Sequence, residues 1–505
     1  MVYVGKRKSR SKRLLEALHG AAKPHQRLLI DLRFKLLQIQ SSCSQFIPAY
    51  ILLMLSLLPA FLLAQATPIP VPSPQLVVQP QEVRALPGGL NETLTFNSNS
   101  PEVVQTEGIL LSTFPPSDKQ VPSAHLNQPL QGRFDLFAHH IAKATSAEDL
   151  KTLYLGILLH NPGQQPVTID ILQAASYLSQ PDAPFISLPP RQDNPAGNIY
   201  AGPGDRVMDD VLRGKRQTGW PAQIVILPGQ SQMLMNLPIP VQGLTPPLNG
   251  RSTLVRARTN GPVYAASLAM FARTNSDGSE RAPNLQEWQN LLQRGGLAGP
   301  RDKTPTPPNT PGNVVYGRVA GVARGSVWQA QISDTPDKGL KLSIPQPGQA
   351  FSYVLSTVER GTLGTGQVQS APMLVRYPDT AYQAHGNYGI QYSLNLPLYN
   401  NSNQPRTVTV ALQTPIKRDQ PTGSLSFNQP PPARVFFRGT VRLRYQDDQR
   451  VPQTRYIHLV QQQGQQGEPL VMLTLSSQDT RLVQLDFLYP PDATPPQVLT
   501  VRTLN

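Results

Sequence analysis

The chain has 505 residues, enough for two or three domains with cores of their own, and one cysteine, Cys43, which excludes a disulfide framework or a multi-cysteine metal site. Its 53 prolines are about twice the usual ~5 % share and its 15 % of charged residues falls well short of the usual ~25 %, which excludes helical rods and coiled coils. The formal charge of +14 suggests a nucleic-acid partner, yet most of it lies in the first 45 residues, where ten Lys and Arg face only Glu16 and Asp31.

Residues 1–45 therefore form a basic arm. Phe46 to Ala64 follows with nineteen uncharged residues, and Ala64-Gln65-Ala66 has the small-x-small pattern of a cleavage site. Basic, apolar and small segments in that order are an export signal. Cleavage after Ala66 leaves a mature chain carrying only +6, and no nucleic-acid partner is expected. Two fates are open for residues 46–66. Pro48 and Pro59 interrupt the run and Ala64 and Ala66 are well placed, which favours a signal peptide. The arm exceeds the usual ~15–30 residues of a whole signal, and the run approaches the ~20 residues that span a bilayer, which favours an uncleaved anchor in the inner membrane. In the first case the protein is exported to the periplasm, the outer surface or the medium. Cys43 precedes the apolar run, so it is not a lipidated first residue, and a mature chain without cysteine suits a bacterial envelope.

Residues 67–80 (TPIPVPSPQLVVQP) read as an extended Pro-rich tether. A first β-rich domain spans 81–299 and closes with a helix over 284–294. There Asn284 is the cap, Glu287 its capping-box partner, and Leu285, Trp288, Leu291 and Leu292 form one face. Five prolines in 300–311 make a linker, and a second β-sandwich domain occupies 312–505. Apolar residues alternate at Leu153–Leu159 and Val167–Ile171 around the turn Asn161-Pro-Gly-Gln-Gln-Pro166, a hairpin pattern. Leu394–Leu398, Asn400–Pro405 and Thr407–Val410 repeat it at a displacement of 239, and Leu227–Leu237 matches Leu475–Leu485 at 248. The expected fold is mainly β: two tandem antiparallel β-sandwich domains, Ig-like or jelly-roll-like, related by internal duplication and preceded by an apolar helix. One large β domain with two similar hairpins is the alternative.

Chemistry-bearing patterns are sparse. His125, His139, His140, His160 and Asp135 cluster in sequence, but adjacent histidines on a strand face opposite ways, so structural roles are expected. Asp205, Asp209 and Asp210 lie on or beside the Gly/Pro loop AGPGDRVMDD, where carboxylates could hold calcium or serve a glycan hydrolase. The spacing is not that of the twelve-residue calcium loop, so no metal or other cofactor is assigned. Asp447-Asp448 reads as a hairpin tip. No Gly-x-Ser-x-Gly elbow occurs. Tyr388 and Tyr392, four apart and on one face if the segment is a strand, could stack on sugars with His385 beside them. Arg442 and Arg444 share a strand face, solvated by default or in contact with an anionic polysaccharide or lipid headgroup.

The segments Phe96–Glu102, Gly108–Phe114, Gly132–His140, Gly202–Met208 and Ala371–Tyr377 resemble a cyanobacterial family catalogued as domain of unknown function 3370. The resemblance covers nearly the whole mature region and implies a secreted or envelope protein; it transfers no activity, cofactor or catalytic residue. The expectation is a non-catalytic binding or structural module that engages cell-wall or extracellular polysaccharide, or other envelope proteins. A glycan hydrolase and a membrane-anchored tether are the competing readings.

Overall fold

The computed structural model describes residues 75–334, 340–420 and 423–505. The basic arm, the apolar run with Ala64 and Ala66, and the first part of the tether lie outside the described residues. Among the described residues strand accounts for 47 % against 5 % helix, so the fold is mainly β, with several sheets. Among the described residues no helix is long and apolar enough to cross a membrane.

The strand Leu248–Phe271 organises the first half, because its 24 residues serve two layers. Its first part pairs with Leu130–Lys143 and Val167–Leu178; its second part pairs with Leu153–His160 and Gly108–Ser112. Leu155, Ile157 and Leu159 from one layer meet Val167, Ile169 and Ile171 from the other in a buried core. In the second half, Gln391–Tyr399 lies between Thr480–Leu488 and Val327–Gln331, while Arg406–Gln413 lies between Val471–Leu475 and Gln497–Thr503. Leu394, Leu396 and Leu398 face Val408, Val410 and Leu412 across that core.

The expected hairpins are not hairpins. Leu153–His160 pairs with Ser231–Ile239, whereas Val167–Leu178 pairs with Gln223–Ile226. The loop 161–166 thus carries the chain from one layer to the next, and 400–405 does the same in the second half. Period-two alternation is identical whether two strands lie side by side or face to face, so the pattern could not separate the cases. An asparagine holds each crossing. Asn161 Nδ2 donates to Gln165 O (2.7 Å) and Ile226 O (2.9 Å); Asn400 Nδ2 donates to Gln404 O (2.8 Å) and Leu475 O (3.0 Å). These bonds set Ile226, not Leu227, in the place of Leu475, a displacement of 249 rather than 248. Gly229 and Gln478, both at positive φ, then coincide.

Strands also cross the Pro-rich linker. Gly89–Leu90 and Arg191–Asp193 form the two edges of the sheet that holds Gln391–Tyr399, while Ala320–Arg324 and Ala371–Arg376 extend the sheet that holds Leu130–Lys143.

Two α-helices complete the described fold. Helix α1, Pro203–Leu212, replaces the loop expected at AGPGDRVMDD and has nine of its ten residues buried. Pro203 suits the first helical position, and Val207, Met208, Val211 and Leu212 recur at helical spacing. The Gly-Pro-Gly entrance masks that spacing in the sequence. These side chains pack with Phe137, Ala175 and Leu254 from the first half and Leu488 from the second. Helix α2, Leu285–Arg294, has the expected capping box between Asn284 and Glu287 and buries Trp288 against Leu158, Leu268 and Met270.

Candidate functional site

The start of α1 forms the floor of a cleft of about 440 Å³. Gly202 caps the helix at φ +94°, and Gly204 has no room for a side chain, since a Cβ there would lie 2.1 Å from Pro491 Cγ. Glycine therefore lets the loop 491–494 close down on the helix. Glu102, His139, Arg318, Tyr388 and Asp492 line it, together with Phe185, which is 60 % exposed.

The charges of the cleft are internally matched. Arg318 Nη2 donates to Glu102 Oε2, and His139 Nε2 lies 3.9 Å from Glu102 Oε1. His139 Nδ1 bonds Ser252 Oγ at 2.8 Å. Burial, with His140 and Arg318 nearby, lowers the His139 pKa to about 3, so this ring is neutral at neutral pH. Arg438 Nη1 donates to Asp492 Oδ2 (2.5 Å) and to Ala201 O (3.3 Å), tying the loop to the helix entrance. Burial pushes Asp492 up to about 6 against the pull of Arg438, and also raises Glu102. Asp492 Oδ1 has no hydrogen-bond partner among the described residues. Two carboxyls whose pKa burial raises, a neutral imidazole and two rings can engage hydroxyl groups by hydrogen bonds and apolar contact.

The three aspartates singled out in the sequence do not converge. Asp205 Oδ2 accepts from Ala201 N (2.9 Å) and His458 Nε2 (2.7 Å), a fully buried link between α1 and strand Pro452–Gln462. Asp209 pairs with Arg213 at 2.8 Å, and Asp210 accepts from Tyr177 Oη (2.6 Å) and Lys215 Nζ (2.8 Å). Asp209 and Asp210, adjacent on the helix, point apart, while Asp205 and Asp209, one turn apart on the same face, are each drawn to a partner of their own, His458 and Arg213. Among the described residues no group of three or more His, Cys, Asp and Glu is arranged to hold a metal ion.

Tyr388 reaches the cleft, but Tyr392 does not share its face. Tyr388 lies in a turn against Phe137, whereas Tyr392 begins the inner face of Gln391–Tyr399 and stacks on Phe487 at 5.1 Å, fully buried. His385 lies outside the cleft, bonding Gly317 O at 2.7 Å beside Tyr316; burial lowers its pKa to about 4. Arg442 and Arg444 both pair with Asp486 Oδ2, at 3.0 and 3.2 Å, and Arg442 also reaches Leu212 O at the end of α1. Their strand face is an inter-layer face over part of its length, since α1 covers it. His125 bonds Ser112, and His140 turns away from His139 toward Ser98 and Pro101. Glu102, Arg318, Asp492 and Phe185 have no sequence motif, because they converge from four distant segments.

With this geometry in place, the comparisons are informative about kinship. A family described as "Protein of unknown function (DUF3370)" matches residues 81–503. The chain belongs to the DUF3370 family. The matched region runs from before the edge strand Glu82–Arg84 to the end of Gln497–Thr503 and includes every cleft residue named above. No curated protein matches the chain. Among solved structures, the crystal structure of Lac15 from a marine microbial metagenome is similar over 75 % of this chain and 54 % of that one, at 10 % identity and a TM-score of 0.10. This chain thus spans about half the length of that protein.

Proposed function

We propose that this DUF3370 protein is an exported cell-envelope module that binds cell-wall or extracellular polysaccharide in the cleft at the start of α1, without altering it. The observation that carries the reading is the cleft itself, lined by Tyr388 and Phe185 together with the polar residues Glu102, His139 and Asp492. Sugars are held by stacking on rings and by paired hydrogen bonds from such groups. The export half of the reading rests on the basic arm, the apolar run and Ala64-Gln65-Ala66, and the cyanobacterial setting on the family resemblance alone. The recurring asparagine-held crossings support a finer architectural reading, two look-alike sandwich units derived by duplication that exchange edge strands.

One observation favours a second reading. Glu102 and Asp492 are both carboxyls raised by burial within one cleft, which suits a glycan hydrolase. The test uses protein recovered from cells, its first residue read by N-terminal sequencing, incubated with cell wall and with released polysaccharide. Chains starting at Thr67, retained on the polysaccharide and retained about tenfold less as Phe185→Ala, support the proposal. Chains starting at Met1, or no retention of the wild type, overturn it. Release of reducing ends by the wild type and not by Asp492→Asn replaces it with the hydrolase.

A further inference from the structure

A second cavity, of about 320 Å³, lies between the two layers of the first half and shares no lining residue with the cleft. Its size is at the lower end of the roughly 300–1,000 Å³ that enclose one small molecule. Leu234 and Met235, from strand Ser231–Ile239, supply buried apolar wall, and the half-buried Trp220 packs on the same core.

Arg251 is the decisive residue. It belongs to Leu248–Phe271, enclosed between His140 on one neighbouring strand and Leu178 on the other. Gly250 lines the cleft, and successive strand positions face opposite ways, so the Arg251 side chain points into the space between the layers. Its hydrogen bonds agree. Nε and Nη2 donate across that space to Pro238 O (3.2 and 2.7 Å), and Nη1 donates to Ser176 Oγ (3.0 Å), a residue of the cavity lining. Three of the five guanidinium N–H groups are thereby used, which leaves one on Nη1 and one on Nη2. The residue is 5 % exposed, and among the described residues it forms no ion pair. Burial lowers its pKa to about 10, so it stays a cation at neutral pH. A buried cation without a paired anion is costly.

Asp182 brings the opposite charge to the same lining. Its Oδ2 accepts from Leu178 N (2.8 Å), and Arg206 reaches its main-chain carbonyl (2.5 Å) rather than its carboxylate. The Asp182 charge is felt at Arg251, yet the two side chains stand too far apart to pair. A dianion such as phosphate would meet Asp182 as a like charge, and a simple amine would meet Arg251 as one. A zwitterion answers both. An α-amino acid offers a carboxylate, which suits the planar guanidinium, one carbon away from an ammonium. Trp220, Leu234 and Met235 favour an apolar side chain on it.

We infer that this cavity is a binding site for a free α-amino acid with an apolar side chain, its carboxylate on Arg251 and its ammonium on Asp182. The site stands whether or not the cleft binds sugar. Isothermal titration calorimetry of the wild-type chain with leucine, methionine and phenylalanine, each as both enantiomers, tests it, alongside the deamino and decarboxylated analogues of each. The expected result is that at least one amino acid binds and that both of its analogues bind about tenfold or more weakly, the loss expected when one charged contact disappears. That comparison is made on the wild type and needs no variant to fold. Asp182→Asn, which keeps an acceptor for Leu178 N, should weaken the amino acid by a similar factor, leave the deamino analogue bound as before or more tightly, and keep its Tm. Arg251→Gln should bind neither. Binding of no amino acid, equal affinity for an amino acid and its deamino analogue, or equal affinity of wild type and Asp182→Asn overturns the proposal.

Discussion

His140 sits fully buried with both ring nitrogens engaged, Nε2 against Ser98 Oγ (2.9 Å) and Nδ1 against Pro101 O (2.8 Å). A carbonyl only accepts, so Nδ1 carries the proton and Nε2 accepts from the serine, which fixes the neutral tautomer. Burial lowers its pKa from 6.5 to about 4. The unfolded chain therefore binds a proton that the folded chain refuses between these values, and stability from this residue, complete above pH 6.5, is lost as the pH falls toward 4. The loss approaches about 3 kcal/mol. Comparing thermal unfolding of the wild type and His140→Gln at pH 7, 5.5 and 4.5 should show the wild type losing stability faster toward acid; parallel curves would remove this account. The sequence placed His139 and His140 on opposite faces correctly, from strand geometry alone. It did not show that Tyr388 and Tyr392 part company, because a turn ending at Ile390 breaks the period between them.

At the scale of elements, the layer crossings tie sequence repetition to structure. Asn161 Oδ1 accepts from Gly163 N (2.8 Å) while its amide bridges Gln165 and Ile226, and Asn400 repeats the set with Ser402, Gln404 and Leu475. Both asparagines are completely buried. Truncation leaves an equivalent buried carbonyl unpaired in each case, Ile226 O or Leu475 O, at about 1–3 kcal/mol, and removes a part-buried bond to Gln165 or Gln404 as well. Asn161→Ala and Asn400→Ala should thus lower stability by similar amounts, about 2–4 kcal/mol, in urea unfolding; a large effect at one and none at the other would argue against equivalence. Strand positions, the capping box of α2 and the repeated Asn-turn-Pro segments were legible because each is written in local chemistry. Helix α1 was not. Its apolar spacing spans barely two turns, and three charged residues of the helix, Asp205, Asp209 and Asp210, are buried by partners as far off as His458. Local reasoning treats such residues as surface groups.

For the molecule as a whole, the exchange of strands decides how separable the halves are. A fragment of residues 312–505 would lose Gly89–Leu90 from one edge of its eight-stranded sheet, Arg191–Asp193 from the other, and Glu82–Arg84 from its five-stranded sheet. It would also expose Leu488 and the other apolar groups covered by α1. Exposed edges and uncovered core favour aggregation. Residues 67–505 should therefore unfold in one calorimetric transition, and the fragments 67–299 and 312–505, expressed apart, should be insoluble or molten. Two independent transitions, or a soluble fragment with sharp unfolding, would show autonomous domains. Composition predicted a β-rich body, but no local signal announces that a three-residue strand pairs across half the chain, and the cleft, assembled by that exchange, was hidden for the same reason.

The pairing of Glu82–Arg84 with Ala350–Leu355 carries one more consequence. Arg84 and Tyr353 stand 269 positions apart in the chain, yet they hydrogen-bond. A polypeptide threaded tail-last through a secretion channel, as the export proposal requires, needs to remain slack until transit is nearly done. Deferring the partner of this early strand to a portion that emerges much later gives it that delay from connectivity alone, and makes a later segment the one that locks an earlier one in place.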